Sequence, residues 1–380
     1  MNPTRMQSIL DNAVASGAVA GVAAAVTGPD GTLFEGCAGT TIAGGEMAVT
    51  PQTRFWIASM TKPITSIAAM QLVERGKLAL DKPLDELLPA LKNPQILENK
   101  ALRPPRTRIT LRHLLTHTSG FSYSFASAEL AAYIAAHDLP SAPGLRASLN
   151  MPLLAEPGTR WIYGISTDWV GLAVEAVSGL SLEDYFQAHI FAPLGMTHTG
   201  FLPPVGGRAA VHRRAPDGGL RPDPLEPVRV PEFFSGGGGL YSTLADYQKF
   251  LRMILQRGAG IVSPATIAEM SRNQIGDLRA GMIPSANPDI LAAMEPDPGM
   301  EPKWSLGFLL NPQPGRFGRG AGSLAWAGIA NTYFWVDPAA ALGAVILMQV
   351  LPAGDPAVMK TYFSFESAIY AAPRSPPITR

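Results

Sequence analysis

Strand-like runs gather near the two ends of this chain, and a long middle that reads mainly as helix and loop separates them. Val19–Thr27 and Thr32–Ala38 are apolar and β-rich, with the turn sequence Pro29-Asp30-Gly31 between them, so they read as a hairpin. Trp304–Leu310, Gly322–Ala330, Thr332–Val336 and Leu342–Val350 bring the same character back, with Asp337-Pro338 in the last turn. Helical spacing predicts helices over 4–16, Ser59–Arg75, Leu111–Leu115, Ala128–Ala136, Thr167–Ser178, Leu182–Ile190 and 355–371, with Gly76 and Gly179 as stops. Strands at both ends need one another to bury their apolar faces. The simplest architecture is therefore one antiparallel sheet built from both ends, with a helical domain inserted between. The expected class is α/β (α+β). Residues 1–80 and 300–380 would form the sheet domain with its flanking helices, and 81–299 the inserted, mainly helical domain. Two Pro- and Gly-rich stretches, 202–239 and 273–303, read as long connections of the kind that often carries function.

Charge and cysteine content remove several function classes. Lys and Arg number 30 against 30 Asp and Glu, which offers no excess for nucleic acid or an anionic membrane. The single cysteine, Cys37, allows no internal disulfide and reads as a structural thiol in the hairpin. The six histidines show no His-Glu-x-x-His or other tight ligand spacing, so neither metal nor cofactor is expected. No Gly-Lys-Ser/Thr follows the run Gly236–Gly239, so it is not a phosphate loop. It reads as a tight approach into a helix capped by Thr243 and Asp246. Asp11, Asn12, Ser16 and Gly17 interrupt the apolar N-terminal stretch, which reads as an amphipathic helix and not a signal peptide. Ala339–Met348 is too short to span a bilayer, so the expectation is a cytoplasmic protein without a membrane partner. Nothing in the sequence sets the oligomeric state.

The chemistry begins at FWIASMTKP, Phe55–Pro63, because no serine has glycine at both −2 and +2 and a nucleophile elbow is absent. Ser59 and Lys62 stand three apart, which puts both on one face of a helix. A lysine serves as a base only where apolar surroundings or nearby positive charge lower its pKa from about 10.4. Phe55, Trp56, Ile57, Met60 and Ile64 supply the apolar setting. Pro63 has no N–H for the carbonyl of Ser59, so Ser59 must lie at the very start of the helix. There the free N–H groups and the positive dipole end suit a developing oxyanion. A plain N-cap serine fits the same segment equally well. A second proton carrier is available in Glu156–Gly164, where Tyr163 sits beside a glycine just before a strong helix. A phenol near Lys62 could be held as phenolate and act as the base; an ordinary half-buried tyrosine is the plainer reading.

Six blocks then occur in order: FWIASMTKP, HLLTHTSGF (His113–Phe121), EPGTRWIYGISTDWVG (Glu156–Gly171), FAPLGMTHTGF (Phe191–Phe201), GGGGLYSTLADYQKFL (Gly236–Leu251) and WAGIANTYFWVDP (Trp326–Pro338). Together they resemble the serine β-lactamase-like superfamily on its class C side, and most of all the family VIII carboxylesterases and their acyltransferase relatives. The resemblance covers roughly residues 10–370. It implies a central antiparallel sheet flanked by helices plus a mostly helical domain, with the site in the cleft between. It implies that Ser59 is acylated, that Lys62 and Tyr163 handle its proton, and that the backbone N–H groups of Ser59 and Ile329 form the oxyanion hole. Asp168 and His117 lie in these blocks and read as structural braces.

Two departures from the β-lactamase pattern shape the expected substrate. Ile165 stands where the Tyr-x-Asn motif carries an amide, and Trp326-Ala327-Gly328 replaces Lys-Thr-Gly. A pocket lined by Ile165, Trp326 and Gly328 lacks the cation that pairs with a β-lactam or peptide carboxylate, and favours neutral acyl groups. Arg319, seven residues upstream of Trp326, weakens that exclusion if it lies nearby. The expected activity is a serine carboxylic ester hydrolase acting on a short-chain or small neutral ester through acyl-Ser59. The alternatives are an acyltransferase of the same fold, in which an alcohol or amine replaces water, a weak β-lactamase or D-amino-peptide hydrolase, and a binding protein without turnover.

Overall fold

The computed structural model describes residues 1–202, 206–224, 230–293 and 300–371. Parts of the two long connections, 203–205, 225–229 and 294–299, lie outside the described residues.

Seven strands form the main sheet: β1 Gly21–Thr27, β2 Thr32–Gly39, β3 Lys303–Trp304, β4 Leu309–Asn311, β5 Ser323–Gly328, β6 Thr332–Asp337 and β7 Leu342–Leu347. Their order is β2-β1-β7-β6-β5-β4-β3, and every neighbouring pair is antiparallel. The two chain ends meet at β1 and β7, where Ala24 stands opposite Ile346. The Pro29-Asp30-Gly31 turn closes with Gly28 N–H donating to Gly31 O.

Helices named below are α1 Pro3–Ala15, α2 Lys62–Glu74, α3 Ser166–Ser178, α4 Leu244–Leu255 and α5 Pro356–Tyr370. Strand alternation sends Val22, Ala24, Val26, Tyr333, Trp335, Ala344 and Ile346 to one sheet face, where α1 and α5 cover them. Ala23, Ala25, Phe334, Val336, Val345 and Leu347 face the other way, into the core that contains α2, α3 and α4. Helix α4 lies on β7 and β1, and α2 packs on α3. Among the described residues no helix is long and apolar enough to cross a membrane.

Two expected strands are broken. Trp304–Leu310 divides into β3 and β4 because Gly307, at φ +102°, turns the chain against α2. A Cβ there would stand 2.3 Å from Ser66 Oγ, so only glycine fits the approach. Leu342–Val350 ends at Leu347, and Val350–Leu351 pairs instead with His212–Arg214 in a parallel ladder. The expected helix Leu182–Ile190 is α-helical over Leu182–Phe186 and then opens into a π turn at Gln187–Phe191.

Candidate active site

Ser59 lies in a 3₁₀ turn, Ala58–Thr61, and α2 begins at Lys62 with Pro63 in its first turn. The position inferred from Pro63 is the one the chain adopts. Ala58, just before the serine, has φ +45°, a conformation that costs on the order of 1–3 kcal/mol for a non-glycine residue. Such strain is typical of a backbone held for a site. Ser59 is half-buried, whereas Lys62 is 1% exposed.

Lys62 Nζ makes three hydrogen bonds. It donates to Ser59 Oγ at 3.0 Å, to Tyr123 Oη at 3.0 Å and to the carbonyl of Gly237 at 2.6 Å. Three acceptors match the three donors of an ammonium. Tyr163 does not bond to Nζ. Its ring lies beside the cation, 4.8 Å from Nζ to centroid, and its Oη accepts from the indole N–H of Trp326 at 3.1 Å. The phenol at hydrogen-bond distance from Lys62 is therefore Tyr123, which sequence reasoning missed. Its one signal was its place two residues after the HLLTHTSGF block. Burial, reinforced by Tyr163 and Asp168, pushes the Tyr123 phenol well above its ordinary range and keeps it neutral. Gly164 lets the two tyrosine segments adjoin, since a Cβ there would stand 2.3 Å from Phe121 O.

The glycine run carries more than a helix approach. Gly237 gives its carbonyl to Lys62 and its N–H to Asp168 Oδ1 at 2.9 Å, while Ser235 Oγ donates to the same oxygen at 2.7 Å. Asp168 thus braces the loop that holds Lys62. Burial raises the pKa of Asp168 despite Ser235, Lys62 and Gly237. The expected cap is present, with Thr243 Oγ1 accepting from Asp246 N–H ahead of α4. His117 is fully buried with its ring 4.9 Å from that of Tyr163. Burial, then Lys62, holds it well below its ordinary range, so it is neutral.

Strand β5 brings the remaining residues. It is not an edge strand, but β4 pairs with it only as far as Ala325, so Trp326–Gly328 stay unpaired on that side. Gly328 presses on the segment before Ser59: a Cβ would lie 2.5 Å from Ile57 O, and Thr332 Oγ1 donates to the same carbonyl at 3.3 Å. Ile329 follows in the turn and borders Ser59. Trp304, fully buried, stands edge-on to Trp326 at 4.5 Å and donates its indole N–H to Leu115 O at 3.0 Å.

Two cavities meet at Ser59. One, of about 440 Å³, runs beside β5 and takes in Tyr163, Trp326 and Gly328. The other, of about 380 Å³, opens toward the helical part and takes in Tyr123, Ile165, Phe233 and Phe234. Ser59, Phe125 and Ile329 line both. Arg319 reaches the first cavity, but it is paired with Glu366 at 2.6 Å and bonded to Tyr362, so its charge is compensated. Among the described residues no cluster of three or more His, Cys, Asp or Glu could hold a metal ion. Burial and Glu35 push the Cys37 thiol up to about 12, which leaves no thiolate nucleophile there.

A profile of the family described as Beta-lactamase matches residues 6–368. The chain belongs to the Beta-lactamase family. It is 37% identical over 335 residues to monacolin J acid methylbutanoyltransferase of Aspergillus terreus, covering 83% of this chain and 81% of that one. It is 31% identical over 342 residues to lovastatin esterase of Penicillium rubens, covering 83% and 84%. The solved structure of unliganded simvastatin synthase from Aspergillus terreus superposes with TM-score 0.86 at 31% identity, covering 97% of this chain and 98% of that one. The protein is an enzyme of the serine hydrolase and acyltransferase type built on the β-lactamase fold.

Proposed function

We propose that this enzyme is an acyltransferase that carries an acyl group on Ser59 from a small neutral ester to an alcohol, with water as a competing acceptor. The observation that carries the reading is the pair of largely apolar cavities meeting at Ser59. Hydrolysis needs room for one ester and then a water. Two cavities of similar size let an acyl chain stay in one while an acceptor enters the other and excludes water. The similarity to a methylbutanoyltransferase and to an esterase supports a chemistry in which one acyl-enzyme serves both outcomes. The expectation of a simple esterase thus gives way to its alternative.

In this reading Ser59 Oγ attacks the ester carbonyl and its proton passes to Tyr163. Tyr163 takes the part of phenolate base in this reading, with Lys62 Nζ beside its ring and Trp326 N–H holding its oxygen in place. The N–H groups of Ser59 and Ile329 bind the oxyanion. The C–O bond to the leaving alcohol breaks as that oxygen takes the proton from Tyr163. The acceptor alcohol then gives its proton to Tyr163, attacks acyl-Ser59, and the Ser59 oxygen leaves and is reprotonated. Tyr163 lines the cavity beside β5, so leaving and incoming alcohols belong there and the acyl chain belongs in the cavity that contains Ile165. Trp326 and the compensated Arg319 make β-lactam carboxylates poor ligands.

Product analysis tests the reading. With p-nitrophenyl butyrate and a series of alcohols, butyrate esters should form and outweigh butyric acid for the preferred alcohol. Butyric acid as sole product with every alcohol would return the assignment to a plain esterase. Loss of all turnover in Ser59→Ala is expected in both cases.

A further inference from the structure

The cavity beside β5 extends well past the groups that act on the ester. Asn311 ends β4 and lines this cavity. It is 3% exposed, and its side-chain amide forms no hydrogen bond to any described residue. Ser323, opposite it on β5, is fully buried, and its hydroxyl also lacks a partner among the described residues. An amide that lines a cavity and is not engaged by a described residue is available to a bound group, which can pair with both its donor and its acceptor. Asn311 stands at the start of β5, whereas Gly328, at its other end, adjoins the segment of Ser59. At the rise of an extended strand these ends lie roughly 16 Å apart. The wall between carries Leu291, Met359 and Phe363. Arg319 and Glu366, which line the cavity too, compensate each other.

We propose that this remote end is a subsite for an uncharged hydrogen-bonding group, a hydroxyl or an amide, at the far end of the acceptor, and that Asn311 reads it. An amide offers both donor and acceptor, which suits a hydroxyl. The apolar wall selects an acceptor whose reacting and distal polar groups are joined by a hydrocarbon stretch. The absence of net charge disfavours a distal carboxylate or ammonium. A site built to bond a hydroxyl discriminates strongly against the analogue that lacks it. The inference rests on acyl transfer as the reaction and on the acceptor lying beside β5.

The test uses the full chain with p-nitrophenyl butyrate as donor and two acceptor series matched in length, primary alkanols and their α,ω-diols. Wild type should prefer the long diol over its alkanol by about tenfold or more in kcat/KM for transfer. Asn311→Leu should lose that preference and keep the rate of p-nitrophenol release without acceptor. Asn311→Ala is read by the same ratio should the leucine variant fail to fold. Equal use of diol and alkanol by wild type overturns the proposal, as does a preference that survives in both variants. A uniform loss with donor and both acceptors overturns it as well, since that marks a structural role. Absence of any ester product in wild type refutes acyl transfer itself and is distinguishable from these.

Discussion

Lys62 is held from three sides, and its partners divide the labour at Ser59. Tyr123 fixes the cation by a hydrogen bond, whereas Tyr163 meets Nζ with its ring alone and bonds through its oxygen to Trp326. Tyr163→Phe should lower kcat by about 10²–10⁴, as expected for a proton carrier. Tyr123→Phe removes one hydrogen bond to a charge and should cost about tenfold to a hundredfold in kcat with KM little changed. The reverse ranking would make Tyr123 the carrier. Ser59, Lys62 and Tyr163 could be named from spacing and from the resemblance. Tyr123 could not, because its role comes from a loop brought beside Lys62 by the fold. His117 gives a second test at this scale. It stays neutral in the fold while the unfolded chain protonates near pH 6.5, so stability is intact above that value and declines as pH falls below it. Urea melts at pH about 7.5 and about 5.5 should show the decline. His117→Asn tolerates φ +55° and should show a shallower one, from a lower starting stability.

Strand β5 and the glycine run are the elements that set the site. Gly328→Ala would place a methyl against Ile57 O and Thr332 Oγ1 and lift the end of β5 away from Ser59. Overpacking of this kind costs about 1–3 kcal/mol. A shift of about 1 Å at the reacting centre lowers kcat about a hundredfold. A thermal melt beside a kcat measurement checks both. Trp304→Phe removes the bond to Leu115 O and part of the wall behind Trp326, and should lower both Tm and kcat. Helices Leu111–Leu115 and Ala128–Ala136 follow the periodicity of their residues to the residue. The break at Gly307 was not legible, because its reason is the close approach of Ser66 from α2, a contact no local pattern contains. The glycine run was legible as a tight approach, but its carbonyl to Lys62 was not, since a backbone acceptor leaves no residue-type signature.

At the scale of the molecule, the sheet joins strands separated by most of the chain, and that much follows from the need of both ends to bury an apolar face. The two cavities do not follow from it. Their walls come from separate stretches around Phe125, Phe233, Leu291 and Met359, whose meeting depends on the whole fold. That is why the sequence by itself points to a hydrolase with water as acceptor, whereas the proposal of an alcohol acceptor rests on the two cavities. The most direct test is a rapid-quench experiment with p-nitrophenyl butyrate, followed by peptide mass spectrometry and a chase with alcohol. The expected result is a butyryl group on Ser59 whose decay accelerates with alcohol concentration as the butyrate ester appears. No adduct on Ser59, or an adduct that decays at one rate to butyric acid whatever alcohol is added, would contradict it.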